Sequence, residues 1–402
     1  MLNLQAGDQI ELFYDDAPAT TIRATVGRLL TDRDEGMGIE VEDYVACWLE
    51  ITVDEPSDMD AKQIVMLGTD FQCRLNGRPV TIRKKALEHA MNKFEQPKTM
   101  HRIGTEGRGS LENFRARRRA FRALHEAGCF VIPNPWDVGS ARYLQQLGFP
   151  ALATTSAGFA FSQGLPDSEG ALTCERNLAY IADIAGAVDV PVNADFASGY
   201  GASPQDVADN VTRCIAAGVA GLSIEDATGD PSSPLHELPL AVERVRAARE
   251  AIDKCHADVL LTARAECFLV GHHDALRESV KRLQAFAEAG ADVLFAPGPH
   301  DPTAIKALVD AVRPKPINVL VVRDSGLSVA DIAALGVRRI SVGGALALAA
   351  WTGFTRAAQK LKSEGSFAGF ASLVSYADIN GFFVNDYRAR QSDKRRAARS
   401  PS

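Results

Sequence analysis

Short apolar runs recur about eight times between Phe130 and Ala345, and most are followed by a stretch with apolar positions at helical spacing. The strand candidates are Phe130 to Ile132, Ala151 to Thr155, Pro191 to Asp195, Val219 to Ile224, Val259 to Arg264, Val293 to Ala296, Ile317 to Leu320 and Arg339 to Val342. Helical patterns follow, for example over Asp206 to Ala217 and Ala275 to Ala289. Ala217-Gly218 and Ala289-Gly290 stand just before strands, where glycine takes the left-handed turn that ends a helix. The alternation predicts an α/β fold, a (β/α)8 TIM-type barrel, over residues 111–385. A doubly wound open sheet is the alternative, but it wants a glycine-rich phosphate loop after its first strand. Pro133-Asn134-Pro135-Trp136-Asp137 is not one.

Residues 1–90 alternate with the period of half-buried strands, as in Gln9 to Tyr14 and Thr21 to Val26, and predict a small β domain. Asn76-Gly77 between two such runs is a hairpin signal, since both residues tolerate positive φ. No catalytic cluster stands out there, so packing, oligomerisation or partner binding are the roles it suggests. Residues 91–110 are polar and aperiodic and read as a linker. A basic helix, Leu111 to Gly128, then aligns Phe114, Phe121 and Leu124 on one face. The basic end, residues 386–402, reads as a disordered tail.

Composition narrows the class. The 402 residues are 46% hydrophobic and 24% charged, an ordinary globular balance with a length for one large domain and a smaller one. No apolar run reaches the roughly 20 residues of a membrane span, and the N-terminus lacks a signal-peptide plan, so a cytoplasmic protein without a membrane partner is expected. A net charge of −7 offers nucleic acid no general attraction. The seven cysteines have neither metal-ligand nor disulfide-framework spacing, and reduced thiols are expected.

In a barrel the C-terminal ends of the strands carry the chemistry. Asp195, Glu225, Arg264 and the Pro297-Gly298 turn follow four of the apolar runs. Asp195 and Glu225 end consecutive strands, so their carboxylates come together on the rim; two such oxygens with water suit Mg2+, and salt-bridged rim residues are the other reading. Arg264 suits a ligand carboxylate, or else pairs with Glu225 or Glu266. Asp226 should point away from Glu225 and support the site from behind. Ser156-Ala157-Gly158 offers a hydroxyl and backbone N–H groups to a carboxylate.

The segment Asn134 to Arg142, Thr154 to Gly158 with Gly164-Leu165-Pro166-Asp167, Asn193-Ala194-Asp195 with Gly199-Tyr200-Gly201, Ser223 to Asp226, Ala263-Arg264, Ala289 to Asp292 and Pro316 to Val319 follow one another in a single register. Over roughly residues 115–385 the chain resembles the isocitrate lyase/phosphoenolpyruvate mutase superfamily. The resemblance implies an enzyme using Mg2+, or Mn2+ in its place, that makes or breaks a C–C or P–C bond of a small 2-oxo or 2-hydroxy acid through a pyruvate enolate-like species. It implies Asp195 and Glu225 as metal ligands, Arg264 for the substrate carboxylate or enolate oxygen, and Ser156, Ala157 and Gly158 for the oxo-acid end. Asp167 would stand near the reacting group, with Asn193 and Asn318 lining the pocket. It also implies a homo-oligomer, a dimer or tetramer that exchanges a C-terminal helix, for which the apolar stretch Phe367 to Tyr376 is suited.

Two departures shape the expectation. Asn193 stands where many members carry a first aspartate, removing one anion. The loop Ala227 to Glu237 has no cysteine, whereas isocitrate and methylisocitrate lyases carry a Lys-Lys-Cys-Gly-His signature nearby. Isocitrate cleavage is therefore not expected, and a carbon–carbon lyase of the oxo-acid or decarboxylase kind is, ahead of a phosphonopyruvate or phosphoenolpyruvate mutase or hydrolase. His236 is the loop's single imidazole, either a proton donor or a surface residue. The competing class is a non-catalytic barrel that senses a ligand and binds a partner through its N-terminal β domain.

Overall fold

The computed structural model describes residues 9–14, 17–30, 45–53, 62–68, 73–75, 78–84, 111–168 and 170–397. The chain divides into two compact units, Met1–Ile103 and Gly104–Ser402.

In the first unit six antiparallel strands form a small closed barrel: β1 (Gln9–Tyr14), β2 (Ala17–Leu30), β3 (Val45–Val53), β4 (Lys62–Gly68), β5 (Cys73–Leu75) and β6 (Arg78–Lys84). Pairing of Ile10 with Lys84 closes it, and closure removes the exposed edges that an open sheet would leave. Leu75 pairs with Arg78, the register a two-residue connection imposes. Asn76-Gly77 and the expected linker at 91–110 lie outside the described residues.

The second unit contains eight parallel strands: β7 (Phe130–Ile132), β8 (Leu152–Ala153), β9 (Val192–Asp195), β10 (Gly221–Glu225), β11 (Leu260–Arg264), β12 (Val293–Phe295), β13 (Ile317–Leu320) and β14 (Arg339–Ser341). The sheet runs β7-β14-β13-β12-β11-β10-β9-β8. A bond from the Ala153 N–H to the Pro133 carbonyl (3.0 Å) links its two ends. This is the expected (β/α)8 TIM-type barrel. Strand residues alternate between the buried helix-facing core, as Ala194, Ile224, Ala263 and Ile340 do, and the barrel interior.

Helix α1 (Leu111–Glu126) forms the barrel floor: Phe121 is fully buried in a cluster with Phe130, Ala151, Ala220, Leu260 and Val293, which stand at or near the strands' starts. Its Arg117 and Arg118 bond the carbonyls of Ala185 and Val219. The glycines before β10 and β12 take the left-handed conformation expected of them, with φ of +90° at Gly218 and +103° at Gly290.

Three expectations need correction. Thr154 and Thr155 are not strand: the Thr155 hydroxyl caps α3 (Ser156–Ser162) by accepting the Gly158 N–H, which ends β8 at Ala153. The apolar stretch from Phe367 is a 3-10 turn, Phe367–Phe370, rather than a helix. The basic end is helical as far as Ala397, because a 22-residue helix (Tyr376–Ala397) docks on α2 (Val138–Gln146) through Arg142 and Asp386, 2.8 Å apart, with Phe382 set edge-on to Tyr143. Cys129, Cys174, Cys214, Cys255 and Cys267 are free.

Candidate active site

A cavity of about 380 Å3 opens at the C-terminal end of the barrel. Arg264, the last residue of β11, lies at its centre. Its Nη1 is 3.1 Å from Asp195 Oδ1 and 3.0 Å from Glu225 Oε2, so the last residues of three adjacent strands converge on one nitrogen. The other side of the fork meets Glu266 Oε1, from Nε and Nη2 at 2.9 Å each. The Phe295 ring lies 5.2 Å from the guanidinium carbon. Burial opposes the Arg264 charge, but Glu225, Glu266 and Asp195 outweigh it and raise its pKa, keeping it cationic.

The carboxylates are held from behind. Asp195 Oδ2 accepts the Ser156 N–H (3.0 Å) and hydroxyl (2.8 Å), and the Asp195 N–H donates to the Thr154 hydroxyl. Asp226, turned away from Glu225 by strand alternation, accepts the Glu266 N–H and pairs with Arg282 at 2.9 Å. Burial, then the nearby Asp226 and Asp195, push Glu266 above the usual carboxylate range against the pull of Arg264. Three carboxylates around one guanidinium leave an excess of negative charge.

Asp167 lines the cavity. Burial, with the Asp195 carboxylate adding to it, raises its pKa while Arg264 pulls the other way. Asn193 lies one inward position below Asp195, 4% exposed; its Nδ2 donates to the Ala194 carbonyl, and its Oδ1 has no hydrogen-bond partner among the described residues. That oxygen points toward Gly221, at whose Cβ position it would come within 2.7 Å. Asn318 is on the wall, its amide committed to Arg339 and Ser341.

Ser156 and Ala157 also reach the cavity. Gly158 is not among its lining residues: its N–H caps on Thr155, and the absent Cβ allows close packing, since one would meet Thr155 Cγ2 at 2.8 Å. His236 is not brought to the cavity either. Its backbone braces Asp226 and Arg282, and burial, with Arg244 and Arg282 nearby, keeps its ring pKa below the ordinary value. The Pro297-Gly298 turn packs toward Phe268 and stays outside the lining. Arg264 makes both of the pairs weighed for it from sequence, with Glu225 and with Glu266; Arg339 and Ser341 were not singled out, although they stand two positions apart on one strand and both face inward.

The phosphoenolpyruvate phosphomutase family model matches residues 121–362. The chain belongs to that family. A crystal structure from Burkholderia cenocepacia J2315, described in general terms as a lyase/mutase, is 45% identical and superimposes with a TM-score of 0.65 over 68% of this chain and 98% of that one. The Mycobacterium tuberculosis protein Rv1998c is 32% identical over 68% of this chain and 99% of its own length. The 2-methylisocitrate lyase of Escherichia coli K12 is 32% identical over 48% and 67% respectively. A phosphonopyruvate hydrolase crystallised with oxalate and Mg2+ is 26% identical, with a TM-score of 0.61 over 69% of this chain and 98% of that one. The superfamily resemblance read from the motifs therefore holds, and the superfamily includes lyases, mutases and hydrolases acting on small oxo acids.

Proposed function

We propose that the barrel is a Mg2+-dependent lyase that breaks a carbon–carbon bond beside the oxo group of a small oxo acid, oxaloacetate or a substituted malate being the substrate class. The observation that carries this reading is the convergence of Asp195 and Glu225 on a single cation position, at 3.1 and 3.0 Å from Arg264 Nη1. Among the described residues no group of three or more His, Cys, Asp or Glu side chains is arranged to hold a metal. A pair of carboxylates with excess negative charge around them fits Mg2+, which keeps several waters and takes further oxygens from substrate. Asp195 and Glu225 would hold it, and Mn2+ would fit the same oxygens. When bound, the ion supplies a Lewis acid to the oxo-acid oxygens.

The chain's own residues do the rest. Arg264, kept charged by its three carboxylates, offers a fixed cation to the oxygen on which enolate charge develops, and preorganised charge of this kind is often the largest catalytic term. Ser156 fixes the orientation of the Asp195 carboxylate. Asp167 keeps its proton to higher pH than an ordinary aspartate, the property needed to quench a carbanion at the cavity wall. The 227–237 loop has no thiol for that step, so Asp167 or water supplies the proton, which suits decarboxylation better than isocitrate cleavage.

A ligand-sensing barrel without turnover is the second reading, favoured by one observation: each nitrogen of the Arg264 fork is already taken by the protein's own carboxylates. A panel of oxaloacetate, phosphonopyruvate, phosphoenolpyruvate, 2-methylisocitrate and substituted malates, followed by pyruvate release with and without Mg2+, separates the two. Turnover of oxaloacetate or a malate above the others is expected, with Asp195→Asn lowering it by about a hundredfold or more at unchanged fold. Full activity of that variant with Mg2+ chelated refutes the metal assignment. Absence of turnover across the panel leaves the sensing reading.

A further inference from the structure

Strand β14 alternates as a strand should: Ile340 faces the helices, while Arg339 and Ser341 face the barrel interior. Arg339 is 3% exposed, and among the described residues it makes no ion pair with a carboxylate. Its Nε donates to Asn318 Oδ1 at 2.8 Å, its Nη2 to the Thr262 hydroxyl at 3.1 Å, and its Nη1 lies 3.5 Å from His125 Nε2.

A guanidinium only donates, so the face of the Asn318 amide turned to it must be the oxygen. The amide nitrogen is thereby turned the other way, where Nδ2 meets Ser341 Oγ at 2.8 Å. That nitrogen only donates too. The Ser341 oxygen therefore accepts, and its own proton is left to point elsewhere. Among the described residues the Ser341 hydroxyl donates no hydrogen bond, and Ser341 lines the cavity together with Asn318 and Arg339. The chain of bonds runs in one direction, from a buried cation through an amide to a hydroxyl on the cavity wall.

We infer that Ser341 is a substrate-binding residue that donates its hydroxyl proton to a carboxylate oxygen of the oxo acid, with Asn318 and Arg339 as positioning residues that fix the direction of that bond. The inference rests on the oxo-acid reading above. A relay that begins at an uncompensated cation and ends in a donor selects an anionic oxygen and rejects a cation or a second donor.

Oxalate with Mg2+ is the probe, titrated calorimetrically into the full-length protein. Ser341→Ala removes the hydroxyl without adding volume and is expected to weaken oxalate binding about tenfold, the usual scale for a hydrogen bond to a charged group. Asn318→Asp is the sharper test. It keeps an acceptor for Arg339, with a stronger charge pairing, but has no donor for Ser341, whose proton then turns onto the new carboxylate and away from the cavity. A folded N318D protein, checked by its melting curve, is expected to lose oxalate affinity to a similar degree, and adding S341A to it should cost little more. A purely structural Asn318 would leave oxalate affinity in folded N318D unchanged. Unaltered affinity in either single variant overturns the assignment of Ser341 while the oxo-acid reading stands. Failure of the unaltered protein to bind oxalate overturns that reading, and the assignment with it.

Discussion

Arg339 imposes a chemical state on His125. The Nδ1 of His125 lies 2.8 Å from the Phe121 carbonyl, which can only accept, so that nitrogen carries the proton and Nε2 presents its lone pair to Arg339. Burial, and then the Arg339 charge, bring the imidazole pKa from 6.5 down to about 3. Because the folded pKa lies below the unfolded one, the unfolded chain binds the extra proton first. The stability this group contributes is present above about pH 6.5 and is lost as pH falls toward 3, by up to a few kcal/mol. Urea unfolding between pH 7 and 4 should show that slope, and His125→Asn should flatten it; an equal slope in both proteins refutes the assignment. At this scale the sequence revealed side chains whose position followed from strand alternation alone. Asp195, Glu225 and Arg264 each end an apolar run and were legible for that reason. Arg339 was not, because an arginine beside Arg338 reads as surface until Ile340 is known to face outward. Gly158 and His236 were misplaced because adjacency to a motif does not reveal which N–H is spent on a cap or which way a loop folds.

Among the elements, α1 decides how the barrel ends. Its Phe114 ring occupies the space a side chain at residue 218 would need, and Gly218 has a φ of +90°. Gly218→Ala therefore incurs both left-handed strain and a clash with an aromatic ring. Destabilisation of roughly 1–3 kcal/mol is expected in chemical denaturation, with the Asp195, Glu225 and Arg264 cluster at the opposite end of the barrel undisturbed. A Gly218→Ala protein as stable as its parent would show that α1 does not hold the floor as described. Helix and strand order was readable from periodicity because the second unit repeats one βα rule along its length. The breaks in that rule were less so. Thr155 has the β-branched chemistry of a strand yet caps a helix, and the basic C-terminal residues form a helix that depends on a partner over two hundred positions away, Arg142. Such contacts leave no local pattern.

For the whole molecule, the large unexplained surface lies at the C-terminal end of the barrel unit. The helix Ala345–Glu364 buries only Ala347, leaving Trp351 and Phe354 outward, and beyond it Phe367, Leu373, Val374 and Tyr376 are more than two-thirds exposed. Apolar side chains grouped this densely are a liability on a monomer, and their burial by a second subunit is the outcome we expect. Among the described residues the six strands of the first unit close on one another, and side-chain packing on the C-terminal helices is the mode of association expected. Light scattering at micromolar concentration should give a mass that is a whole multiple of 43.2 kDa. Phe354→Asp, 61% exposed in the single chain and therefore tolerated by its fold, should shift the population toward 43.2 kDa by placing a charge where an apolar face is to be buried. Removal of residues 376–402 should do the same if the terminal helix is exchanged between subunits, and should leave the mass unchanged if the helix serves only its own chain through Arg142 and Asp386. A parent protein that scatters as a clean 43.2 kDa particle refutes the oligomer altogether.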